Sequence, residues 1–91
     1  MKLILSPTFT RSAKRVLKKN PKLSDILRNT LKLLETDLFH PQLRPHKLKG
    51  SLGGSMACRV AYDLRIIFEI VRDHDEEKIL LQTIGTHEEV Y

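Results

Sequence analysis

Residues 56–84, MACRVAYDLRIIFEIVRDHDEEKILLQTI, decide the fold of this chain. In the first part of this stretch, apolar residues alternate with small or polar ones, which is typical of a half-buried β-strand. Residues 65–71 and 78–84 are rich in β-branched and other apolar residues, and the charged segment 73–77 separates them. Three strands with short connections predict an antiparallel meander whose one face is covered by helices.

Upstream of this stretch the apolar spacing changes from two residues to the 3.6 of an α-helix. The first helix is expected to begin at Thr8. Asn20-Pro21 is predicted to end it and to start a second, with Asn20 as the cap and Pro21 at the first helical position. The second helix is predicted to fade near Asp37. The apolar faces are predicted to comprise Phe9, Ala13, Val16 and Leu17 in the first helix, and Leu23, Ile26, Leu27, Thr30, Leu31 and Leu34 in the second.

The remaining segments complete a β-α-α-β-β-β(-β) order. Residues 2–5 predict a short strand that ends at Ser6-Pro7, because proline cannot donate to a strand ladder. The segment 46–49 is short and polar, and a flexible glycine-rich connection over residues 50–54 follows it. We therefore expect one α+β domain over residues 1–91, an antiparallel-dominated sheet with an αα-hairpin on one face.

The charge is distributed unevenly along the chain. Residues 1–62 hold thirteen of the sixteen Lys and Arg residues against three acids, a balance of +10, whereas residues 63–91 have a balance of −5. A basic excess over most of a small protein favours a polyanionic partner, although lysines that merely maintain solubility are an equal alternative.

The cysteine count and the lengths of the apolar runs indicate in which cellular compartment the protein is expected. Cys58 is the only cysteine, which rules out an internal disulfide and a cysteine zinc site; a small core residue is its expected role. The apolar run at residues 3–5 is far shorter than a signal peptide or a membrane-spanning helix. We expect a cytoplasmic protein without a membrane partner.

Several segments occur together and in order along the whole chain. They are His46-Lys47-Leu48-Lys49-Gly50, the strand with Arg59, the strand Asp63-Leu64-Arg65-Ile66-Ile67-Phe68, and the tail Gly85-Thr86-His87. With the β-α-α-β-β-β order, this set resembles the RelE/ParE superfamily of toxin–antitoxin modules, closest to its RelE and YafQ-like branch.

The resemblance implies a reaction. Members of the RelE branch are metal-independent endoribonucleases that cut mRNA in the ribosomal A site, so neither a metal nor a cofactor is expected. The ribose 2′-OH attacks the adjacent phosphate and leaves a 2′,3′-cyclic phosphate and a 5′-OH end. This chemistry needs a proton acceptor, a proton donor and positive charge beside the phosphate. Imidazole groups titrate near neutral pH and suit both proton transfers.

The resemblance also implies roles for single residues. His87 is the expected general acid or base and His46 is its complementary partner, while Asp63 orients a histidine or acts as a base. Arg59 and Arg65, on strands predicted to be neighbours, are expected to grip the scissile phosphate bidentately if they share the open face of the sheet. Lys47 and Lys49 are expected to hold flanking phosphates, and Tyr91 is expected to stack on a base of the codon.

The chain departs from the branch at three positions. Arg59 stands where the branch has a further histidine, Leu64 where it has a tryptophan, and Thr83 near a position where it has an arginine. The proton-transfer pair is therefore His87 with either His46 or Arg59.

Structural alternatives exist for several of these side chains. Arg59 could instead form an ion pair with Asp63 or Glu69, and Arg65 could have a purely structural pairing. The two other histidines of the chain, His40 in a proline loop and His74 in an acidic turn, are expected to be solvated.

Two other functions remain open. One is a ParE-type inhibitor of DNA gyrase, which needs no proton-transfer pair, and the other is a degenerate, non-catalytic member that only binds an antitoxin. In either toxin case the partner is expected to be a cognate antitoxin, acidic and partly disordered, in addition to ribosome and mRNA for the ribonuclease.

Overall fold

A five-stranded sheet and two long helices make up most of the protein in a computed structural model, which describes residues 1–50 and 54–90. Part of the expected glycine-rich connection (residues 51–53) and Tyr91 lie outside the described residues. The elements are β1 (Leu3–Leu5), α1 (Pro7–Lys19), α2 (Leu23–Thr36), a 3₁₀ turn (Pro41–Leu43), β2 (His46–Lys47), β3 (Met56–Ala61), β4 (Leu64–Asp73), β5 (Glu76–Gly85) and α3 (His87–Val90).

The strands form one mixed sheet in the order β1-β5-β4-β3-β2. Strands β2 to β5 pair antiparallel with their neighbours, and β1 alone pairs parallel, with β5. The predicted α+β fold is confirmed, with β2 as the optional fourth strand after the helices.

The helices cover one face of this sheet and enclose the core. Helix α1 packs against β5, and α2 packs against β3 and the 3₁₀ turn. Cys58 is fully buried there, and this burial raises the pKa of its thiol to about 12, so the side chain acts as the small core residue expected from the sequence. The largest fully buried side chains are Phe9, Leu34, Leu43, Ile66, Phe68, Ile79, Leu81 and Ile84.

The start of α1 is tied to the sheet. The Ser6 hydroxyl accepts from the backbone N–H of Phe9 at 3.0 Å, a side-chain N-cap, and donates to the Gln82 carbonyl at 3.1 Å. Pro7 occupies the first turn, where its missing N–H costs nothing.

The predicted start of the second helix is wrong. Asn20 ends α1 in an extended conformation (φ −143°, ψ 85°), and its carbonyl oxygen accepts from the Leu23 N–H at 3.1 Å. Residues 20–22 thus form a turn, and helix α2 begins only at Leu23; Lys22 at its cap position makes no side-chain capping bond.

Ile26 was expected on the buried face of α2 but is 44% exposed. It borders a depression of about 670 Å³ between α2, the 3₁₀ turn and residues 59–61 of β3, so Arg59 lines this depression as well. Strand β2 pairs only with the first two residues of β3, Met56 and Ala57, so it does not cover the rest of β3. The side of α2 that borders this uncovered part of β3 therefore stays open to solvent.

The charged turn is shorter than the five residues predicted. Asp73 pairs with Glu76, so only His74 and Asp75 connect β4 and β5. Both have positive φ values (51° and 64°), as in a type I′ turn, whose twist matches that of the flanking strands. His74 is solvent-exposed as expected, whereas His40 is half-buried and its Nδ1 accepts from the Gln42 N–H, which caps the 3₁₀ turn.

The tail beyond β5 forms a short helix, α3, that the sequence-based prediction did not include. Its contacts are with β4 and β5. Across the described ranges 1–50 and 54–90, no helix combines the length and the apolar character needed to cross a bilayer.

Candidate functional site

Arg59 and Arg65 lie on neighbouring strands, as expected from the sequence, and face each other there. Their Cα atoms are direct partners in the antiparallel β3–β4 pair. Their neighbours Cys58 and Ile66 are also paired and are buried under the helices. Since side chains alternate along a strand, both arginines lie on the opposite, helix-free face of the sheet.

The same register adds His46 to this face. His46 in β2 is paired with Ala57 in β3, and Ala57 lies two residues before Arg59. Residues two apart on a strand share a face, so His46 and Arg59 belong to the same side of the sheet.

Helix α3 folds back over this face at Gly85. Gly85 is paired with Arg65, and a Cβ atom at Gly85 would lie 3.1 Å from the Glu89 Cβ and from the Val90 Cγ1. Only glycine permits this close approach without a shift of the tail. Gly85 does not have a positive φ, so the requirement for glycine comes from packing and not from backbone conformation. The close packing carries His87 towards the edge where β2 lies.

A groove of about 550 Å³ separates α3 from the segment that begins at β2. We call it the two-histidine groove, because His46 lines one side and His87 the other. Lys47 and Lys49 line it as well, so two imidazoles and two ammonium groups border the same space. Among the described residues, its lining comprises His46, Lys47, Leu48, Lys49, Gly50, His87 and Val90.

A backbone contact fixes the orientation of His46. Its Nδ1 lies 3.2 Å from the carbonyl oxygen of Arg44. Since a carbonyl only accepts, this bond forms in the ring state that carries a proton on Nδ1. Arg44 itself has a left-handed backbone (φ 48°, ψ 52°), a strained conformation for a residue with a side chain.

Asp63 contacts the backbone of His87. Its Oδ1 accepts from the His87 N–H at 3.3 Å. This bond joins the β3–β4 turn to the first residue of α3, so the carboxylate positions the main chain that carries the imidazole.

The two arginines differ in their bonding. Arg65 donates from Nη1 to the carbonyl oxygens of Ala61, Tyr62 and Leu64, at 3.0 to 3.3 Å, and thereby braces the β3–β4 turn. This is the structural pairing left open by the sequence. The guanidinium of Arg59 makes no hydrogen bond or ion pair with any described residue.

Neither ion-pair alternative for Arg59 is present. The Glu69 carboxylate accepts from the Gln82 amide at 3.2 Å, and Asp63 accepts from the tail. Of the two arginines, Arg59 is thus the one whose guanidinium is not committed to the fold among the residues described.

The sequence analysis missed two residues that shape the tail. Thr86 and Glu89 form a capping box: the Thr86 Oγ1 accepts from the Glu89 N–H at 3.3 Å, and the Glu89 Oε1 accepts from the Thr86 N–H at 2.9 Å. The signal was available, since Thr86-His87-Glu88-Glu89 fits the pattern in which Ser or Thr precedes Glu by three residues.

The structure also locates Leu64 and Thr83, two of the positions at which the chain departs from the YafQ-like branch. Leu64 is buried in the core, and the Thr83 hydroxyl lies 3.2 Å from that of Ser12 in α1. Both therefore contribute to packing of the sheet and its helices.

Solved structures of bacterial toxins share this fold over nearly their whole length. A metal-bound toxin from Helicobacter pylori is 25% identical, with a TM-score of 0.81 and coverage of 100% of this chain and 99% of that one. YafQ from Escherichia coli is 20% identical, with a TM-score of 0.79 and coverage of 99% and 97%. A YoeB/ParE toxin from Agrobacterium tumefaciens is 15% identical, with a TM-score of 0.76 and coverage of 96% and 99%. The search of curated proteins gave no match.

This is the fold of the toxins of the RelE/YafQ-like superfamily. The family model described as the bacterial toxin of type II toxin–antitoxin system, YafQ, matches residues 1–91. The chain belongs to the YafQ toxin family.

Proposed function

We propose that this toxin is an endoribonuclease that cuts mRNA in the ribosomal A site. The observation that carries the proposal is the two-histidine groove, in which His46 and His87, forty-one positions apart in sequence, border one space together with two lysines. Two imidazoles beside cationic side chains supply the proton acceptor, the proton donor and the positive charge that RNA cleavage needs.

The proposed reaction begins at the ribose 2′-OH. The Nε2 of His46 takes its proton, and the oxygen attacks the adjacent phosphorus. The bond from phosphorus to the 5′-oxygen breaks, and His87 gives a proton to that leaving oxygen. The products are a 2′,3′-cyclic phosphate and a 5′-OH end, and both imidazoles have exchanged protonation states.

Arg59 is the proposed partner of the phosphate. It lies on the same sheet face as His46, and its guanidinium has no other partner among the described residues. A planar fork of donors matches two phosphate oxygens and stabilises the charge that develops on them. Arg65, with Nη1 committed to the turn, is expected to contribute less to RNA binding.

Substrate binding is proposed to follow charge. Lys47 and Lys49 hold phosphates on either side of the scissile bond, and Tyr91 stacks on a codon base. The basic residues of α1 are proposed to contact ribosomal RNA, since phosphate contacts supply affinity without sequence specificity. These basic residues are Arg11, Lys14, Arg15, Lys18 and Lys19.

We further propose an antitoxin partner in the cytoplasm. Escherichia coli YafQ has been crystallised in a complex with DinJ, and that YafQ chain is 20% identical to this one, with coverage of 99% of this chain and 97% of that one. An acidic, partly disordered chain that orders on this basic surface would cover the groove. A toxin that is purified from cells without such a partner as a harmless, stable protein would contradict this part.

Two substitutions test the histidine pair. His87→Gln and His46→Gln should each lower the cutting of mRNA on translating ribosomes by about 10² to 10⁴-fold, because each removes one proton transfer. The double variant should lose little more than the worse single variant, since the two groups act in one step. The control is His74→Gln, because His74 is 92% exposed in its side chain and lies outside the groove.

The result that contradicts the pair is undiminished cutting by His87→Gln with a circular-dichroism spectrum like that of the wild type. A wild type that cuts nothing but blocks supercoiling by DNA gyrase would instead establish the ParE-type alternative. Failure in both assays, with an antitoxin still bound, would indicate a degenerate member.

A further inference from the structure

We infer that Glu89 is a positioning residue, which fixes His87 in the two-histidine groove through its bonds to Thr86 and Arg15. The inference rests on the proposed function, because it assigns Glu89 a role in the reaction that His87 performs. No part of it requires Glu89 to touch RNA.

A helix as short as α3 needs support from outside itself. It has four residues, fewer than a chain in water needs to remain helical alone. The capping box supplies that support at its first turn, since both the Thr86 N–H and the Glu89 N–H find side-chain acceptors. His87 lies between these two residues and is therefore held inside the box.

An ion pair extends the box to the helix layer. The Arg15 Nη2 lies 3.6 Å from the Glu89 Oε2, and Arg15 belongs to the long helix α1. The other carboxylate oxygen, Oε1, accepts from the Thr86 N–H. One carboxylate thus links the tail helix to α1 while it completes the cap.

The charge on Glu89 persists at neutral pH. The backbone N–H of Thr86, which donates to the carboxylate, is the main cause that lowers the pKa of Glu89 below its ordinary value, and Arg15 and Lys19 act in the same direction. Because the pKa of Glu89 is lowered, the charged cap persists to a lower pH than an ordinary glutamate would allow.

Glu89 lies on a different side of α3 from the imidazole. Glu89 and Thr86 line a separate cavity of about 330 Å³, between the end of α1 and the β3–β4 turn. His87 lines the two-histidine groove instead. The carboxylate is therefore placed to act through His87 and not on the substrate.

Two further contacts hold the same segment. Asp63 accepts from the His87 N–H at 3.3 Å, and Gly85 lets Glu89 and Val90 pack directly on β5. With the capping box, these contacts fix the backbone on both sides of His87. A displacement of about 1 Å at a catalytic group is enough to slow a reaction about 100-fold.

The experiment compares Glu89→Ala with Glu88→Ala in ribosome-dependent mRNA cutting. Glu88 is the matched control, because it is the exposed neighbour with the same charge and takes no part in the box. Glu89→Ala should lower kcat by about 10- to 100-fold with the KM for ribosomes nearly unchanged. Glu88→Ala should cut like the wild type.

Conservative variants separate positioning from loss of charge. Glu89→Gln keeps an oxygen that accepts from the Thr86 N–H and should recover part of the rate, although its ion pair to Arg15 is lost. Thr86→Ser should cut nearly like the wild type and Thr86→Ala should not, because only the serine hydroxyl replaces the cap. These variants also serve if Glu89→Ala fails to fold.

NMR signals of His87 give a readout that does not depend on cutting. The amide and imidazole resonances of His87 should shift and broaden in Glu89→Ala but not in Glu88→Ala. Wild-type signals and wild-type kcat in Glu89→Ala would overturn the inference. If the wild type cuts no RNA, the proposed function fails, and the His87 resonances still decide whether Glu89 positions that residue.

Discussion

Gly85 shows how one residue controls the placement of another in this toxin. It lacks a positive φ, so its need for glycine comes from packing alone, with side-chain atoms of Glu89 and Val90 at 3.1 Å from the position of a Cβ. Distances this short force a neighbour to move, and the neighbours belong to the helix that carries His87. The last residue of β5 therefore sets where the imidazole lies.

Gly85→Ala should impair cutting more than stability. The added methyl group displaces α3 by a few tenths of an ångström, which we expect to reduce kcat about tenfold or more. Gly54→Ala is the control: Gly54 has a φ of 75° with open space around it, so alanine there strains the backbone without touching α3. It should lower the free energy of unfolding by about 1 kcal/mol and leave kcat intact.

The two measurements are ribosome-dependent cutting and urea unfolding. Wild-type kcat in Gly85→Ala would mean that α3 tolerates the shift, and the packing account of the tail would then be wrong.

For single residues, the sequence predicted which strands carry the two arginines better than it predicted their hydrogen bonds. Alternation along the strands was enough to predict that Arg59 and Arg65 lie on adjacent strands, and the register makes them direct partners. The alternation did not distinguish the roles of the two arginines. Arg65 bonds to carbonyl oxygens of the β3–β4 turn, and the conformation of that turn could not be predicted from the sequence. Roles for His46 and His87 came from the family resemblance and stay predictions.

Among the elements, the β4–β5 hairpin has a turn whose sequence can be changed to stabilise the protein. His74 and Asp75 both adopt left-handed backbone conformations, which cost a residue with a side chain about 1 kcal/mol or more. The ion pair of Lys78 with Asp73, 2.8 Å long beside the turn, raises the pKa of Lys78 through their hydrogen bond and helps to hold the strands in register.

The variant His74→Asn with Asp75→Gly should stabilise the protein. Asparagine and glycine adopt these conformations at lower cost, so we expect the free energy of unfolding to rise by about 1 kcal/mol. Glu77→Gly is the control, since glycine inside β5 should lower the same quantity. Urea unfolding measures all three proteins, and an unchanged midpoint for the turn variant would exclude backbone strain there.

The helices and strands were predicted in part from the sequence. Strands, both long helices and their order followed from periodicity and were confirmed. The start of α2 was wrong because Asn20 closes α1 and a turn over residues 20–22 precedes the helix, which begins at Leu23. Helix α3 was missed because four residues carry no periodicity, although its capping box was present in the sequence.

Over the whole molecule, the uneven charge and the topology are consistent with the proposed RNA-binding surface. The basic N-terminal two thirds supplies β2 and β3 at the open edge of the sheet, and the acidic final third supplies β5 and the tail. Segments that are distant in sequence, residues 46–50 and the C-terminal tail, thus meet at the two-histidine groove. In the proposed function, carboxylates near the tail position His87, and the phosphate-binding charge comes from the basic first part of the chain.

A double variant tests this division. Lys47→Ala with Lys49→Ala should weaken the binding of single-stranded RNA and make it less salt-dependent, with a slope of log K against log salt reduced by about 0.7 for each phosphate that the protein no longer neutralises. Lys22→Ala with Lys32→Ala removes the same charge outside the groove and should alter the slope less. Fluorescence anisotropy over a range of KCl concentrations gives both slopes, and equal slopes would count against the groove as the RNA site.

The most direct test of the central claim is to map the mRNA ends produced by the wild-type toxin on ribosomes with a defined codon in the A site. Our account predicts 5′-OH ends within that codon, matched by upstream fragments that end in a 2′,3′-cyclic phosphate, and neither product with His87→Gln. Intact mRNA with the wild type, or cuts that persist at full rate in His87→Gln, would contradict it.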